Sequence, residues 1–549
     1  MTKDSRPVGD GQVTRPGKKL VIFADGTGNA FSVQESNVWR LYQALDKSEK
    51  PTGLQQIARY VPGVGTSANK VVRYIDGITG FGVPSNVRKL YRFLCWNWEP
   101  GDEIYLFGFS RGAFTVRTLA SMVFRQGLMP RCVSAEAGEG TRIVGKSEMQ
   151  RNVAAAWRAY RWKTAPLVEE GASAWNPLNW EMNPLIEAGR YLRDAVVRLK
   201  RQALGQDQHE TALAQRDPEA LDGVVTIRMM GVFDTVEAYG LPVKEASDVV
   251  NWLIWPLKFR NFACSRVVQK IRHALALDDE RLTFHPLRFD QTTLPPGQEI
   301  QELWFAGMHS DVGGGYPDNA VSLDPLVWMK EEAQLQELRF DSLIMMRHET
   351  GRYPQAQIHD SRAGLASLYR YAPRRFKATG ADLAATDGPP VLHHSAVRKM
   401  QVGADGYAPL LLPADFRVYP KGDRRWSGIV PHDLPRNEAA AAEVRRLVKR
   451  RKQTNWITIG AIVALIVLPF LPDGFAGIVT HEMRLSPKVL AWVEWLIGGL
   501  VPGWAYSWIL ALLNNWVISL VLIGTVLGIH QVNESLGNRI KDWANQIWR

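Results

Sequence analysis

The sequence predicts an α/β fold: a mostly parallel sheet with helices on both faces. Three observations carry this expectation. Short apolar runs alternate with segments of helical periodicity, the runs end in turns that hold Gly or Asp, and one run passes through a glycine-flanked serine directly into a helix.

Residues 1–18 are polar and read as a disordered tail; with no apolar stretch there, a cleavable signal peptide is not expected. Lys19 to Ala24 reads as a buried strand, closed by the turn Asp25-Gly26-Thr27-Gly28-Asn29. Val38 to Leu45 is short and amphipathic, and Gln56 to Val61 is a second strand before Pro62-Gly63. Between Ser85 and Trp98, Val87, Leu90, Tyr91 and Leu94 recur at helical spacing, and Pro100-Gly101-Asp102 stops the helix. Glu103 to Phe109 is the next central strand, and a helix follows from Arg111 to about Phe124. From Met129 to Glu219 the texture changes: the segments Val153 to Trp162 and Leu185 to Leu204 read as Arg- and Trp-rich helices with no strand between them. They predict a helical lid insertion at about 129–219. Strand rhythm resumes at Val224 to Phe233 and at Ile300 to Phe305, Arg272 to Leu277 looks helical, and 331–435 reads as surface loops plus helices. The α/β domain thus spans 19–435.

Composition narrows the class. A chain of 549 residues with 46% hydrophobic, 22% charged and 10% aromatic residues is neither disordered nor of low complexity. Three scattered cysteines support neither a disulfide framework nor a zinc site. The net charge of +11 suggests nucleic acid, but its densest run, Arg445 to Lys452, lies directly before an apolar stretch. A basic collar there suits anionic lipid headgroups, so nucleic acid is not expected as a partner.

Residues 436–549 form that collar and a membrane anchor. Spans are expected at 456–479 and 505–529, each near the roughly 20 apolar residues that cross a bilayer. Eight of the 20 tryptophans lie beyond Asn455, several near the segment ends, as in an interfacial belt, and Val489 to Leu500 is expected to lie in the interface. Basic residues flank both outer ends (Arg445 to Lys452; Arg539 and Lys541), which predicts a transmembrane helical hairpin with the large domain on the cytoplasmic side.

The sharpest chemical signal is Gly108-Phe109-Ser110-Arg111-Gly112. As a bare pattern it is common. Between a strand and a helix it is the α/β-hydrolase nucleophile elbow, in which the serine is raised above the sheet on a strained turn. The alternative is an ordinary turn with a surface serine. A serine hydroxyl needs a base, and the base an orienting acid. In this fold they follow at later strand ends, acid before histidine. Asp234 follows the run ending Gly231-Val232-Phe233, and His309 follows Trp304 to Met308 and opens the glycine turn Ser310 to Tyr316. Asp311 competes for the acid role, although a capping role in the glycine turn suits it better. The Arg111 backbone N–H is one oxyanion donor, and Gly26 or Thr27 offers the second; Asp25 is a further supporting candidate, equally readable as part of a plain Asx turn.

These residues resemble the α/β-hydrolase catalytic domain of bacterial type VI secretion phospholipase effectors and their uncharacterised relatives. The likeness runs through Phe23 to Thr27, Tyr60 to Thr66, Gly108 to Phe114, Gly231 to Val236, His273 to Asp278 and Trp304 to Tyr316, with a weaker match at His394 to Val397. It implies Ser110 as nucleophile, Asp234 as acid and His309 as base, ester cleavage of phospholipids or related lipids, and no cofactor or metal. Phe233 stands where the family usually has Trp, and Gly28 where an aromatic is common. As an effector the protein would have an immunity or secretion-spike partner, a role that the apolar tail complicates. Two other readings stand beside a membrane-anchored lipid hydrolase: an esterase or thioesterase on soluble substrates, and a membrane-docked binding protein on an inactive hydrolase fold.

Overall fold

The computed structural model describes residues 17–26, 35–48, 54–63, 82–134, 141–164, 225–236, 266–291, 294–376, 388–403, 406–420, 429–468, 486–497 and 509–548, apart from a few single positions. The loop beyond Gly26, with Thr27, lies outside them, as does the expected segment Leu185 to Leu204 except for Ala195, Val196 and Leu199, which are helical.

The strands are β1 (Lys19–Ala24), β2 (Gln56–Val61), β3 (Glu103–Phe109), β4 (Cys132–Ser134), β5 (Thr141–Ile143), β6 (Ile227–Phe233), β7 (Val268–Ala276), β8 (Glu299–Phe305), β9 (Val391–His393), β10 (Arg417–Tyr419) and β11 (Val430–Pro431). The helices are α1 (Asn37–Ala44), α2 (Val83–Asn97), α3 (Arg111–Gln126), α4 (Lys146–Thr164), α5 (His309–Gly313), α6 (Leu323–Leu335), α7 (Ser342–Thr350), α8 (His394–Val402), α9 (Glu438–Val467), α10 (Pro487–Ile497) and α11 (Trp516–Ala544).

Nine strands form one sheet in the order β11-β10-β9-β8-β7-β6-β3-β1-β2, parallel throughout except for β10 against β11. Alternate residues of each strand feed opposite faces. On one face Leu20, Ile22, Ile104, Leu106, Met230 and Val232 pack with α2, α3 and α4. On the other, Val21, Phe23, Tyr105, Phe107 and Phe233 pack with α1 and α6. The chain leaves β1 toward β2 and returns to β3 on the opposite side. The crevice between the carboxyl ends of β1 and β3 is therefore the topological switch point, where open α/β sheets bind ligands.

Three elements differ from the sequence reading. Residues 272–276, expected in a helix, belong to strand β7. Its polar side chains are paired inside the fold: Arg272 Nε meets Glu332 at 2.5 Å, and His273 Nδ1 meets Glu302 at 2.9 Å. The stretch expected as loops plus helices contributes β9, β10 and β11, which extend the sheet. The strandless insertion contains the antiparallel pair β4–β5, and its helix around Val153 is α4, which buries Met149, Val153, Ala156, Trp157 and Tyr160 in the main core.

At the C-terminal end the basic run is the first half of α9. That half buries Ala440, Ala441, Val444, Leu447 and Val448 together with Leu536, Ile540, Ala544, Ile547 and Trp548 against Leu275, Trp304 and Tyr371. After Asn455 in α9, and over the first half of α11, the helices are apolar and largely exposed, as at Ile457, Val463, Ile466, Leu520, Val521 and Leu527. Among the described residues one helix, α11, is long and apolar enough to cross a membrane by length and composition. The expected hairpin is matched among these residues by that one helix. The first expected span is described only as far as 468 and the second only from 509, with α11 starting at Trp516.

Candidate active site

Two buried strand ends set the geometry. Ser110, at the end of β3, has φ 57° and ψ −123°, and Asp234, at the end of β6, has φ 36°. Only one other non-glycine among the described residues, Glu337, has positive φ. Backbone strain is thus concentrated on two side chains facing one crevice, as is common at functional sites. Ser110 N–H donates to Phe233 O at 3.0 Å, tying the two turns together. The flanking glycines allow the turn to close. A Cβ on Gly108 would lie 2.6 Å from Ala113 Cα, and one on Gly112 would lie 2.1 Å from Ala24 O.

His309 opens α5, just past β8. Its Nε2 lies 2.8 Å from Ser110 Oγ, and its Nδ1 lies 2.6 Å from Asp234 Oδ2. The rings of Phe109 and Phe284 pack against it, with centroids 4.8 and 5.1 Å away. Asp234 is wholly buried. Its Oδ1 accepts from Ala276 N–H at 3.0 Å, and Oδ2 also accepts from Arg374 at 2.5 Å. Burial would raise its carboxyl, but the Arg374 cation and the His309 hydrogen bond outweigh that and hold it below the usual carboxylate range. Burial lowers the His309 imidazole below the ordinary histidine value despite the pull of Asp234. The ring is therefore held neutral, the form able to accept a proton.

The other candidate residues fall in distinct places. Asp25 is buried at the end of β1 and accepts from Gly26 N–H at 2.6 Å, Ser36 Oγ at 2.6 Å and Tyr60 OH at 2.7 Å. It thereby orders the turn at Gly26, where a Cβ would sit 3.3 Å from the Ser110 Cβ. Arg111 is the first residue of α3, so its N–H belongs to the unsatisfied first turn of a helix. Asp311 accepts from Met308 N–H at 2.9 Å and meets His359 Nδ1 at 2.6 Å, which caps α5 and fixes the turn that presents His309.

Two residues at the site escape a reading of the sequence. Arg374 sits in an irregular stretch, Ala372-Pro373-Arg374-Arg375-Phe376, with no periodicity to single it out. Asp279, whose Oδ2 accepts from His309 N–H at 3.3 Å and pairs with Arg281 at 2.6 Å, follows the recognisable His273 to Asp278 run by one position. That adjacency was the available signal. Among the described residues no group of three His, Cys, Asp or Glu side chains is placed to hold a metal ion.

Comparison with known proteins places the chain in a family. The model of the family described as type VI secretion phospholipase effector Tle1-like, catalytic domain, matches residues 18–332. An uncharacterized protein of Saccharomyces cerevisiae is 26% identical over 344 residues, which are 59% of this chain and 40% of the relative; the chain thus spans about two fifths of that relative. A solved structure of an uncharacterized protein from Pseudomonas aeruginosa aligns over 88% of this chain and 62% of its own, at 16% identity and a TM-score of 0.33.

Proposed function

Because the chain belongs to the Tle1-like catalytic-domain family of type VI secretion phospholipase effectors, we propose that it is a serine hydrolase cleaving the carboxylic esters of membrane phospholipids. The observation that carries this reading is the continuous hydrogen-bond path from Ser110 Oγ through His309 to Asp234 at 2.8 and 2.6 Å. In this mechanism His309 Nε2 takes the Ser110 proton as Oγ attacks the ester carbonyl carbon. Asp234 holds Nδ1–H and stabilises the imidazolium that forms. The tetrahedral oxyanion is held by the backbone N–H of Arg111 and a second N–H from Gly26 or Thr27, the Gly26 N–H serving only by giving up its bond to Asp25 Oδ1. Collapse breaks the ester C–O bond, the leaving alcohol takes the proton from His309, and Ser110 is left acylated. Water then repeats the sequence, releases the fatty acid and restores the serine. The three side chains and the backbone donors complete this cycle without a cofactor.

The exposed collar of α9 and the apolar surface of α11 support a site held at a lipid surface, with anionic headgroups against Arg445, Arg446, Lys449 and Arg450. In this reading a two-helix hairpin enters the bilayer and the catalytic domain stays on the cytoplasmic side. An immunity protein or secretion-spike partner belongs to the effector role and is proposed with it.

The test is lipid hydrolysis by the purified full-length protein in mixed micelles of defined phospholipids, beside Ser110→Ala, with mass spectrometry of the released acids. Release by the wild type and none by the variant is the expected result. Release by both would end the serine mechanism. Activity on short soluble esters with none on phospholipids would move the substrate to the soluble esterase reading, and no activity on either would favour an inactive, binding fold.

A further inference from the structure

We propose that Arg374 is a positioning residue for the triad, presented to Asp234 by a strap docked on the first helix of the C-terminal hairpin. The proposal rests on the serine-hydrolase reading above. Arg374 is 1% exposed, and its terminal nitrogen donates to Asp234 Oδ2, the same oxygen that faces His309 Nδ1. With Ala276 N–H on Oδ1, both carboxylate oxygens are held and the carboxylate cannot rotate away from the histidine. A buried ion pair contributes little net stability, because desolvating both ions offsets their attraction. What this pair supplies is a fixed orientation. Arg374 Nε and its second terminal nitrogen are buried without a hydrogen-bond partner among the described residues, so the guanidinium is not placed to satisfy itself.

The strap, residues 370–376, carries Arg374 into the core from the hairpin side. Leu282 N–H donates to Arg370 O at 2.9 Å and Ala372 N–H to Glu280 O at 2.7 Å, so the strap lies antiparallel to the turn holding Asp279. Tyr371 N–H donates to Asn455 Oδ1 at 2.9 Å, and Asn455 is itself buried where the α9 collar gives way to apolar sequence. The Arg451 guanidinium lies 4.4 Å over the Tyr371 ring, and that of Arg370 lies 4.0 Å over Trp456. One contiguous set of contacts therefore runs from α9 through the strap to the acid of the triad. The charged and titratable groups around the His309 ring are Asp234, Asp279, Arg281 and Arg374, with His285 beside Arg374.

The test uses full-length protein in detergent and follows the rate at which a fluorophosphonate labels Ser110 as a function of pH, which needs no lipid. Arg374→Ala is expected to slow labelling about 10- to 100-fold, the range for losing one charge-assisted hydrogen bond to a buried group. It also leaves the Asp234 charge uncompensated beside His309, so the acid limb of the profile moves to higher pH. Millimolar guanidinium ion restores the rate. Arg374→Gln, which keeps a donor and drops the charge, moves the same limb and serves if the alanine variant does not fold. An unmoved acid limb in both variants, or labelling within twofold of wild type, overturns the proposal. Failure of the wild type itself to label overturns the serine-hydrolase reading, and this inference with it.

Discussion

Replacing Gly112 with alanine separates the stability of the elbow from its chemistry. The new Cβ would lie 2.1 Å from Ala24 O, 2.5 Å from Ala24 C and 2.6 Å from Asp25 O. Ordinary contact begins near 3.4 Å, so the first turn of α3 and the end of β1 must part by about 1.3 Å. Neither side is a flexible side-chain tip. Ala24 pairs with both Val61 and Gly108, and Asp25 N–H donates to Val61 O at 3.1 Å. Overpacking of this kind costs about 1–3 kcal/mol, against about 1 kcal/mol gained from placing alanine instead of glycine in a helix. The net loss of stability is therefore small, about 0–2 kcal/mol. The displaced segment, however, carries Gly26 beside Ser110, and a misplacement of about 1 Å at a reacting centre costs about 100-fold in rate. Fluorophosphonate labelling and thermal melting, measured on the same preparation, should show reactivity falling far more than stability. Gly101→Ala is the control. It forces φ 94° on an L-residue, with nothing within 4 Å, at the opposite end of β3. It should cost about 1–2 kcal/mol and leave labelling unchanged. If Gly112→Ala labelled within threefold of wild type, the close approach of α3 to β1 would not be what aligns the elbow.

Burial holds His309 neutral below the ordinary histidine value of 6.5, and only the neutral ring can take the serine proton. The acid limb of kcat/KM on a soluble ester should therefore fall below pH 6.5, and a limb above it would contradict the geometry. Leu536→Ala, in the buried root of α11, should lower stability by about 2–5 kcal/mol, whereas Leu520→Ala, 57% exposed on the same helix, should change thermal melting in detergent very little. Equal effects would deny the root its place in the core. Replacing Arg446, Lys449 and Arg450 with glutamine should weaken binding to anionic vesicles roughly 100-fold, at about 1 kcal/mol per charge, and leave binding to zwitterionic vesicles unchanged. Vesicle flotation at two salt concentrations measures this, and the effect should shrink at the higher one.

The most legible strands are those whose neighbours demand little that is polar. β1, β3 and β6 are buried on both faces and read as short apolar runs, and β8 was legible from its apolar end Leu303-Trp304-Phe305, although Gln301 and Glu302 are buried in it. β7 was not legible because Arg272 and His273 point into the fold and are neutralised by Glu332, Glu299 and Glu302, partners far enough along the chain to leave no local pattern. β9 and β10 are three residues each, too short for a period of two to show. The same distinction holds at the site. Ser110, Asp234 and His309 each end an apolar run, and strand ends of a parallel sheet converge on one edge by topology alone. Arg374 lies 140 residues from Asp234 in an irregular strap, and only the folded chain brings the two together.

The root of the hairpin bears on how such a site would meet a lipid. A flexible tether would let the catalytic domain sample any orientation above a bilayer. Here α9 is one continuous helix from Glu438 to Val467, and its first half is packed into the same cluster as Leu275 and Trp304, from the strands that lead to Asp279 and His309. Thr454 Oγ1 meets Asn533 at 2.5 Å where the two helices leave that cluster, and Arg451 reaches Glu280 at 3.4 Å. On the proposed membrane reading, then, the helix that enters the bilayer and the loop that touches His309, the proposed base, belong to one packed unit. The angle of the crevice to the lipid surface is set by side-chain packing rather than by linker length. Loosening the root by cutting away its buried residues should therefore change the access of lipid to Ser110 before it changes the reactivity of the serine toward a small soluble probe.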